Sequence, residues 1–367
     1  MEAYPEDSTF PYSVSPADYW ADYNYTGEGI VPFCDNSSIA EFTTLFLPVY
    51  FYLIFALSVA GNGLILFTLL AYEHMKNVIN IFILNLIISD LLFSVSLPFW
   101  AQNYSSEWIF GNGMCKLING IYFIGIYSCC TLLMVMTVDR YFFIIYPMAT
   151  VRMRTTRYAV LLSAAAWFFS ISGAIPEFIY SGIKHSEEGN GVTCEAADSD
   201  EHSAAMWGIV GYFLQTVMFF MVPFIIVTYC YIRIILKVIG CTIVRKYKAV
   251  KMIFVTVIVF FLCWGPYNIF LLVFLSVKGT EKKNDQGCDH SWEKVYFVCH
   301  SLTHFHCCIN PFFYTLVGKK FRRSFLKLLG SFPLYTNLLS LHSSSYKSST
   351  SRQRPPSTGA EVAGGGQ

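Results

Sequence analysis

A chain of 367 residues has room for one large domain with short tails. Hydrophobic residues make up 54% of this chain, while charged residues contribute only 13% and nearly cancel to a net charge of +1. An ordinary soluble domain carries roughly 25% charged residues, so a soluble protein of this composition could not cover its own surface. The composition excludes most soluble classes and indicates that most side chains face lipid or other buried helices.

Seven stretches are apolar and long enough to cross a bilayer, which takes roughly 20 mostly apolar residues. They cover approximately residues 42–71, 78–102, 112–145, 157–178, 205–238, 250–277 and 292–317. The predicted fold is therefore an all-α membrane protein, a bundle of seven transmembrane helices over residues 42–317. Lysine and arginine in short loops remain on the cytoplasmic side. An extracellular amino terminus is predicted because it leaves 19 of the 25 basic residues on the inner side.

The two tails differ in charge. Residues 1–41 contain no lysine or arginine but eight acidic side chains: Glu2, Glu6, Asp7, Asp18, Asp22, Glu28, Asp35 and Glu41. This extracellular tail either only keeps itself solvated or attracts a basic protein partner. Residues 318–330 alternate basic and apolar positions at helical spacing, which predicts an amphipathic helix on the inner lipid leaflet. Residues 331–367, rich in serine and threonine, are predicted to form a disordered cytoplasmic tail.

Four of the twelve cysteines lie on the outer side of this topology: Cys34, Cys115, Cys194 and Cys288. Because the outside is oxidising, two disulfides are expected there, and four cysteines allow three pairings. We favour a bond between Cys115 and Cys194, from the top of the third span to the second outer loop. The other two would then tie the amino tail to the third outer loop. Asn24 and Asn36 match the glycosylation pattern on the same side, and Asn103 matches it close to the membrane.

Asp90 is the only acidic side chain deep within a hydrophobic stretch, and such residues are costly there and usually functional. Its expected partners are Asn62 in the first span and Asn310 in the seventh. The cluster either holds helices together by hydrogen bonds or binds an allosteric sodium ion. A transporter would more often carry several charged residues in its spans and internal repeats, and the sequence has neither.

The sequence does not indicate an enzyme, because it contains no glycine-rich phosphate loop and no nucleophile elbow. No metal site is predicted either. His304 and His306 are two residues apart, which would put them on different faces of a helix. No nucleic-acid partner is expected.

Three motifs occur in order, one in each of three spans: Asp139-Arg140-Tyr141 at the end of the third, Cys263-Trp264-Gly265-Pro266-Tyr267 in the sixth and Asn310-Pro311-Phe312-Phe313-Tyr314 in the seventh. Together with Gly61-Asn62 and Asp90, they resemble the rhodopsin-like (class A) G-protein-coupled receptors. Within that class the chain is similar to the chemokine receptors, on three further strings: Ser96-Leu97-Pro98-Phe99-Trp100, Trp108-Ile109-Phe110-Gly111-Asn112 and His306-Cys307-Cys308-Ile309-Asn310-Pro311. Residues 80–86 and 264–268 resemble the XC (lymphotactin) receptor, while residues 123–126 are equally like CC receptors.

This resemblance implies a plasma-membrane receptor that binds an XC or CC chemokine and activates an inhibitory-class G protein. The implied ligand-binding residues are Trp100, Tyr122, Tyr267 and His300 in the helices and Asp18, Tyr19, Asp22 and Tyr23 in the tail. The implied activation residues are Asp139, Arg140, Tyr141, Tyr231, Phe260, Trp264, Asn310, Pro311 and Tyr314. Arg140 would be held by Asp139 in the inactive state, and phosphorylation of the cytoplasmic tail by a receptor kinase would recruit an arrestin.

The sequence departs from the family pattern at two places. Most CC receptors carry a glutamate in the seventh span where this chain has His300, and the XC receptor lacks that glutamate too. After Asp139-Arg140-Tyr141, the family usually continues with Leu-Ala-Ile-Val, whereas residues 142–145 are Phe-Phe-Ile-Ile here. The altered stretch leaves open a second interpretation, a scavenging receptor that internalises chemokine without activating a G protein.

Overall fold

The computed structural model describes residues 42–185, 191–196, 210–239, 247–278 and 291–317. The chain divides into two units, Met1–Gly318 and Lys319–Gln367, and every described residue belongs to the first. The predictions for residues 1–41, 318–330 and 331–367 concern segments outside the described residues.

Seven helical spans make up the described part of the chain. They are Phe42–Phe46 with Leu47–Tyr72, Val78–Ser105, Gly111–Ile145, Thr156–Tyr180, Leu214–Met221 with Val222–Ile239, Tyr247–Lys278, and Ser291–His304 with His306–Val317. Five helices among the described residues are long and apolar enough to cross a membrane, and the sixth span contains a further apolar stretch, Val257–Val273. The predicted all-α seven-helix fold is confirmed, with span bounds a few residues from those expected.

Two short elements in the loops were not predicted. A helix of seven residues, Pro147–Met153, follows the third span on the cytoplasmic side. On the outer side, β1 (Ser181–His185) and β2 (Val192–Ala196) form an antiparallel hairpin in which Ile183 stands opposite Cys194. Apolar periodicity reveals long spans much better than strands of five residues, which is why both elements escaped sequence reasoning.

Irregular turns occur in the first, fifth and seventh spans, and the first begins with the π-helical segment Phe42–Phe46. The π-helical segment Leu214–Met221 ends just before Pro223, whose ring would clash with the carbonyl four residues earlier in a regular α-helix. The seventh span is interrupted at Phe305, where the Phe305 and Cys308 amides donate to carbonyls only three residues back, each at 3.2 Å. This tighter turn changes the direction in which the following side chains point.

Two glycines let spans approach closely. A Cβ atom on Gly61 would lie 3.0 Å from the Pro311 ring, so the first and seventh spans meet there without room for a side chain. A Cβ atom on Gly125 would lie 2.8 Å from the backbone nitrogen of Phe93, between the second and third spans. Small residues at such crossings are typical of helix packing in membranes.

Large apolar side chains cover the outside of the bundle. Phe168 is 75% exposed, Leu161 70% and Leu262 65%, whereas Leu86 and Phe93 inside the bundle are fully buried. Exposed apolar surface on this scale would be unfavourable in water but matches lipid. The polar and functional side chains are therefore found on the inward faces, where the site is built.

Candidate ligand pocket, polar core and cytoplasmic switch

The outer hairpin is fastened to the helices beneath it. Cys194 in β2 forms a disulfide with Cys115 at the top of the third span, as we favoured from the sequence. The Cys194 amide donates to Asn103 Oδ1 at 3.0 Å, and the Trp108 amide donates to the Val192 carbonyl at 2.6 Å. These bonds fix the hairpin at the outer end of the second and third spans, next to the predicted pocket. Cys34 and Cys288, the second predicted pair, lie outside the described residues.

The four predicted pocket residues of the helices lie in one aromatic cluster. The ring centroids of Trp100 and Tyr122 are 6.1 Å apart, and those of Tyr267 and His300 are 5.5 Å apart. His304 joins the two pairs, because its ring lies 6.1 Å from that of Tyr122 and 4.8 Å from that of His300. The second, third, sixth and seventh spans therefore all contribute to the cluster.

Sequence reasoning missed two members of this cluster. Tyr296 stacks on His300 with an interplanar angle of 7° and contacts the Tyr267 ring at 6.0 Å. His304 is only 1% exposed and occupies the centre of the cluster. Tyr296, His300 and His304 follow one another at intervals of four residues, which places them on one helix face. That spacing was visible in the sequence and could have identified them.

Two polar atoms of the pocket are buried without a hydrogen-bond partner among the residues that the structure describes. They are Nε1 of Trp100 and Nδ1 of His300. An indole N–H can only donate, whereas an imidazole nitrogen donates or accepts according to its tautomer. Because leaving such groups unpaired is unfavourable, a ligand that supplies their partners gains free energy. The two atoms are therefore candidates for hydrogen bonds to a polar group of a ligand.

The floor of the pocket contains the predicted pair Trp264 and Phe260, whose rings lie 6.1 Å apart. Both rest on His306 of the seventh span. The Phe260 and His306 rings are 5.6 Å apart, and Trp264 Nε1 lies 3.3 Å from His306 Nδ1. His306 begins the string of residues 306–311 that resembles the chemokine receptors, but it was not among the predicted site residues.

Below the floor lies a polar core around Asp90, which is fully buried. Asn310 Nδ2 donates to Asp90 Oδ2 at 2.7 Å, and the Cys129 thiol donates to Asp90 Oδ1 at 3.8 Å. The carboxylate, Cys129 and His306 also bring potential metal-binding atoms within 4.8 Å of one another. The three residues come from different spans, so sequence spacing could not reveal the group. The sodium ion expected at Asp90 stays a prediction.

Asn62 has a different partner from the one expected. Its Nδ2 donates to the carbonyl of Cys307 at 2.9 Å and to the Ser58 carbonyl at 3.1 Å. Pro311 has no amide hydrogen to offer to the carbonyl four residues earlier, which is that of Cys307. Asn62 therefore satisfies the backbone group that the proline leaves unpaired, and in doing so links the first span to the seventh.

The cytoplasmic end is closed by a buried ion pair. Arg140 lies 3.4 Å from Asp139, and both side chains are at most 4% exposed. Asp139 also pairs with Arg154 from the loop after the third span, at 3.0 Å. The Phe143 ring lies 5.9 Å from the Arg140 guanidinium and 4.8 Å from that of Arg154. One carboxylate and one aromatic ring thus hold two arginines, which matches the inactive arrangement implied by the resemblance.

Two further predicted activation residues, Tyr141 and Tyr231, pack against other aromatic side chains. Tyr231 is buried and packs edge-on against Phe254 at 4.8 Å. Tyr141 contacts the Tyr229 ring at 6.1 Å. The helix that carries Tyr314 is described, but its side chain is not. Asp18, Tyr19, Asp22, Tyr23, Asn24 and Asn36 lie outside the described residues, so their roles stay predictions.

The described helices thus enclose an aromatic cluster at the outer end, a buried polar core and a buried aspartate–arginine pair at the inner end. The family described as the seven-transmembrane receptor (rhodopsin family) matches residues 61–314, which include every motif named above. The match defines the class of protein.

Individual relatives narrow the class further. C-C chemokine receptor type 4 of Homo sapiens is 33% identical over 335 residues, covering 90% of this chain and 92% of that receptor. Chemokine XC receptor 1 of Homo sapiens is 34% identical over 299 residues, covering 82% and 85% of the two chains. C-C chemokine receptor type 3 of Cavia porcellus is 32% identical over 324 residues, covering 88% and 87%. The chain therefore belongs to the chemokine receptors of the rhodopsin family, which are multi-pass plasma-membrane proteins and not enzymes.

Proposed function

We propose that this receptor binds a chemokine at the cell surface and activates an inhibitory-class heterotrimeric G protein. The observation that carries the proposal is the buried Asp139–Arg140 pair at 3.4 Å, located at the opposite end of the bundle from the aromatic pocket. A ligand shifts such a two-state protein only when it binds one state more tightly than the other. The pocket and the ion pair supply a place to bind and an interaction to release.

The ligand is proposed to be an XC or CC chemokine, the classes named in the relatives. Chemokines are small basic proteins, which suits capture by the acidic tail of residues 1–41. The flexible amino terminus of the ligand would then enter the pocket among the helices. Trp100 Nε1 and His300 Nδ1 support this step, because both are buried without a partner in the described part of the chain.

The signal would pass from the pocket to the core through histidine rings. His300 contacts His304 at 4.8 Å, and His306 contacts the ring of Trp264 at 5.7 Å. The interruption at Phe305 lies between these two contacts, so a shift of the outer part of the seventh span would reorient His306. Movement of Trp264 would allow the inner ends of the spans to separate and release Arg140 toward Tyr231 and the G protein.

Termination of the signal is proposed to follow from the cytoplasmic tail. Residues 331–367 are rich in serine and threonine, and phosphate groups added there by a receptor kinase would give the tail negative charge. An arrestin would read that charge. The proposal rests on composition and on the family.

The test is suppression of cyclic AMP in transfected cells that are exposed in turn to XC and CC chemokines, together with uptake of the labelled ligand. We expect one chemokine to suppress cyclic AMP in cells with the native receptor and no chemokine to do so with Arg140→Ala. Arg152→Ala is the matched control, because Arg152 is exposed on the short helix after the third span and should leave suppression intact.

A specific observation favours one alternative, a scavenging receptor. The second arginine on Asp139 and the Phe143 ring beneath both arginines add contacts that hold the switch closed. Ligand uptake without cyclic AMP suppression in the same cells would favour scavenging and contradict the signalling proposal. Neither uptake nor suppression by any chemokine, with the receptor present at the cell surface, would contradict both.

A further inference from the structure

Three potential metal ligands converge below the ligand pocket. Asp90 from the second span, Cys129 from the third and His306 from the seventh bring a carboxylate oxygen, a thiol sulfur and a ring nitrogen within 4.8 Å of one another. Each residue is at most 1% exposed. Their spacing along the chain exceeds any local motif, so only the fold brings them together.

The hydrogen bonds of His306 leave one ring nitrogen available. His306 Nδ1 lies 2.5 Å from the Thr303 carbonyl oxygen and 3.3 Å from Trp264 Nε1, so its tautomer decides which of the two contacts is a hydrogen bond. The shorter contact favours the tautomer with the hydrogen on Nδ1. Nε2 then presents a lone pair, and it is buried without a partner among the residues that the structure describes. A backbone carbonyl that fixes the tautomer through one ring nitrogen is a common support for a metal-binding histidine.

Two of these three donors differ from those that the sodium ion implied by the family would use. Sodium is a hard cation that prefers oxygen ligands, and among these three residues only Asp90 offers one. Sulfur, imidazole nitrogen and carboxylate oxygen together are instead the ligands of zinc. We propose that this receptor binds Zn²⁺ inside the bundle, with Asp90, Cys129 and His306 as its three protein ligands and water in the fourth position.

Charge balance supports a divalent ion in this buried place. Zinc bound by a carboxylate, a thiolate and a neutral imidazole forms a group with no net charge, which is far less costly in a low-dielectric interior than an isolated ion. The Cys129 thiol loses its proton to solvent water when the Zn–S bond forms. The cluster must also contract by about 1 Å, because zinc ligands at ~2.0–2.3 Å from the metal are roughly 3.5 Å apart.

Binding would connect three spans that have to move relative to one another during activation. The His306 ring contacts Trp264 and Phe260, which form the floor of the pocket. A metal ion that fixed this ring would therefore also restrict the floor. Zinc would therefore stabilise the inactive state and weaken agonist responses. This consequence rests on the proposed function, whereas zinc binding itself does not.

The test uses the full-length receptor in lipid nanodiscs after removal of metal. Zn²⁺ is expected to raise the thermal unfolding midpoint of the native receptor and of Cys130→Ser. Cys130 is the matched control, because it is a free, buried cysteine next to Cys129 but outside the group. Cys129→Ser and His306→Gln are each expected to weaken the zinc response by at least about tenfold, as loss of a ligand does.

Cobalt provides a readout that does not depend on stability. Co²⁺ should give a thiolate-to-metal charge-transfer absorption in the native receptor and in Cys130→Ser, and Zn²⁺ should displace it. An equal zinc response in all four proteins would mean binding elsewhere and would overturn the proposal. Stabilisation of the native receptor by Na⁺ but not by Zn²⁺, or the same cobalt band in Cys129→Ser, would also overturn it.

Discussion

The outer pocket and the inner end of the bundle differ in whether an opposite charge lies beside the buried polar groups. At the outer end, Trp100 Nε1 and His300 Nδ1 are buried without partners in the part of the chain that the structure describes. At the inner end, the Asp139 carboxylate lies within ion-pair distance of two arginines, Arg140 and Arg154. Under the proposed function, the outer pocket would gain an interaction when the ligand binds, and the inner end would lose one.

The interactions at the two ends also differ in free energy. A hydrogen bond supplied to a buried unpaired group contributes about 1–3 kcal/mol, whereas breaking a buried ion pair costs several kcal/mol if its charges stay buried. In the proposed activation, Arg140 would therefore have to reach a new polar environment when it leaves Asp139. Substitutions at the two ends, and at the link between them, should have effects of different size.

The largest effect is expected at the outer end from removal of the disulfide. Replacement of Cys115 and Cys194 together by alanine should detach the hairpin and abolish chemokine binding, because a native disulfide contributes about 2–5 kcal/mol. Labelled-ligand binding to receptor at the cell surface measures this effect. Cys299→Ser is the control, since Cys299 is a free cysteine of the seventh span. Binding that persists in the double variant would show that the hairpin is not part of the ligand site.

The second prediction concerns the link between the two ends. Asn62→Leu should lower the free energy of unfolding by about 1–3 kcal/mol, because the Cys307 carbonyl beside Pro311 loses its donor. Thermal unfolding in detergent measures the change. Thr68→Val is the control: Thr68 Oγ1 donates to the Leu64 carbonyl, which the helix backbone also satisfies. Equal destabilisation by both variants would contradict the role assigned to Asn62.

Sequence reasoning predicted the spans and motifs because each leaves a local signal. Long apolar runs define the spans, and the three motifs occur at fixed places in them. The contact between Asn310 and Asp90 joins two residues that the sequence already singled out as polar groups in apolar surroundings. The same argument assigned Asn62 to Asp90. It failed there because the backbone carbonyl freed by Pro311 is a partner that side-chain patterns do not display.

The residues that were missed depend on contacts between distant spans or on irregular backbone. His304 repeats the four-residue spacing of Tyr296 and His300, but the turn at Phe305 interrupts that periodicity before His306. Arg154, in the loop after the third span, pairs with Asp139, a contact that spacing within one helix does not reveal.

The third prediction tests the unpaired groups of the outer pocket. His300→Phe keeps a ring that can stack on Tyr296 but removes Nδ1, and it should weaken chemokine binding about tenfold, equivalent to about 1.4 kcal/mol. Competition binding with the chemokine identified in the cyclic AMP assay measures the affinity. His74→Phe makes the same change at an exposed position on the cytoplasmic side and should leave binding unaltered. Unchanged affinity in both variants would remove His300 from the ligand site.

The smallest effect is expected at the inner end, from Phe143. Phe143→Ala removes the ring that lies 5.9 Å from the Arg140 guanidinium and 4.8 Å from that of Arg154, while both ion pairs to Asp139 remain. Cation–π contacts near the surface contribute about 0.5–1 kcal/mol, so the inactive state should lose enough stability to raise basal signalling roughly two- to fivefold. Cyclic AMP suppression without ligand, normalised to receptor at the cell surface, measures the change.

Phe142→Ala is the control, because the Phe142 ring contacts Tyr141 and Tyr146 and is 45% exposed. Higher basal activity in Phe143→Ala alone would mean that residue 143 stabilises the inactive state without preventing activation. Unchanged activity in both variants would mean that the two ion pairs to Asp139 stabilise the inactive state without help from the Phe143 ring.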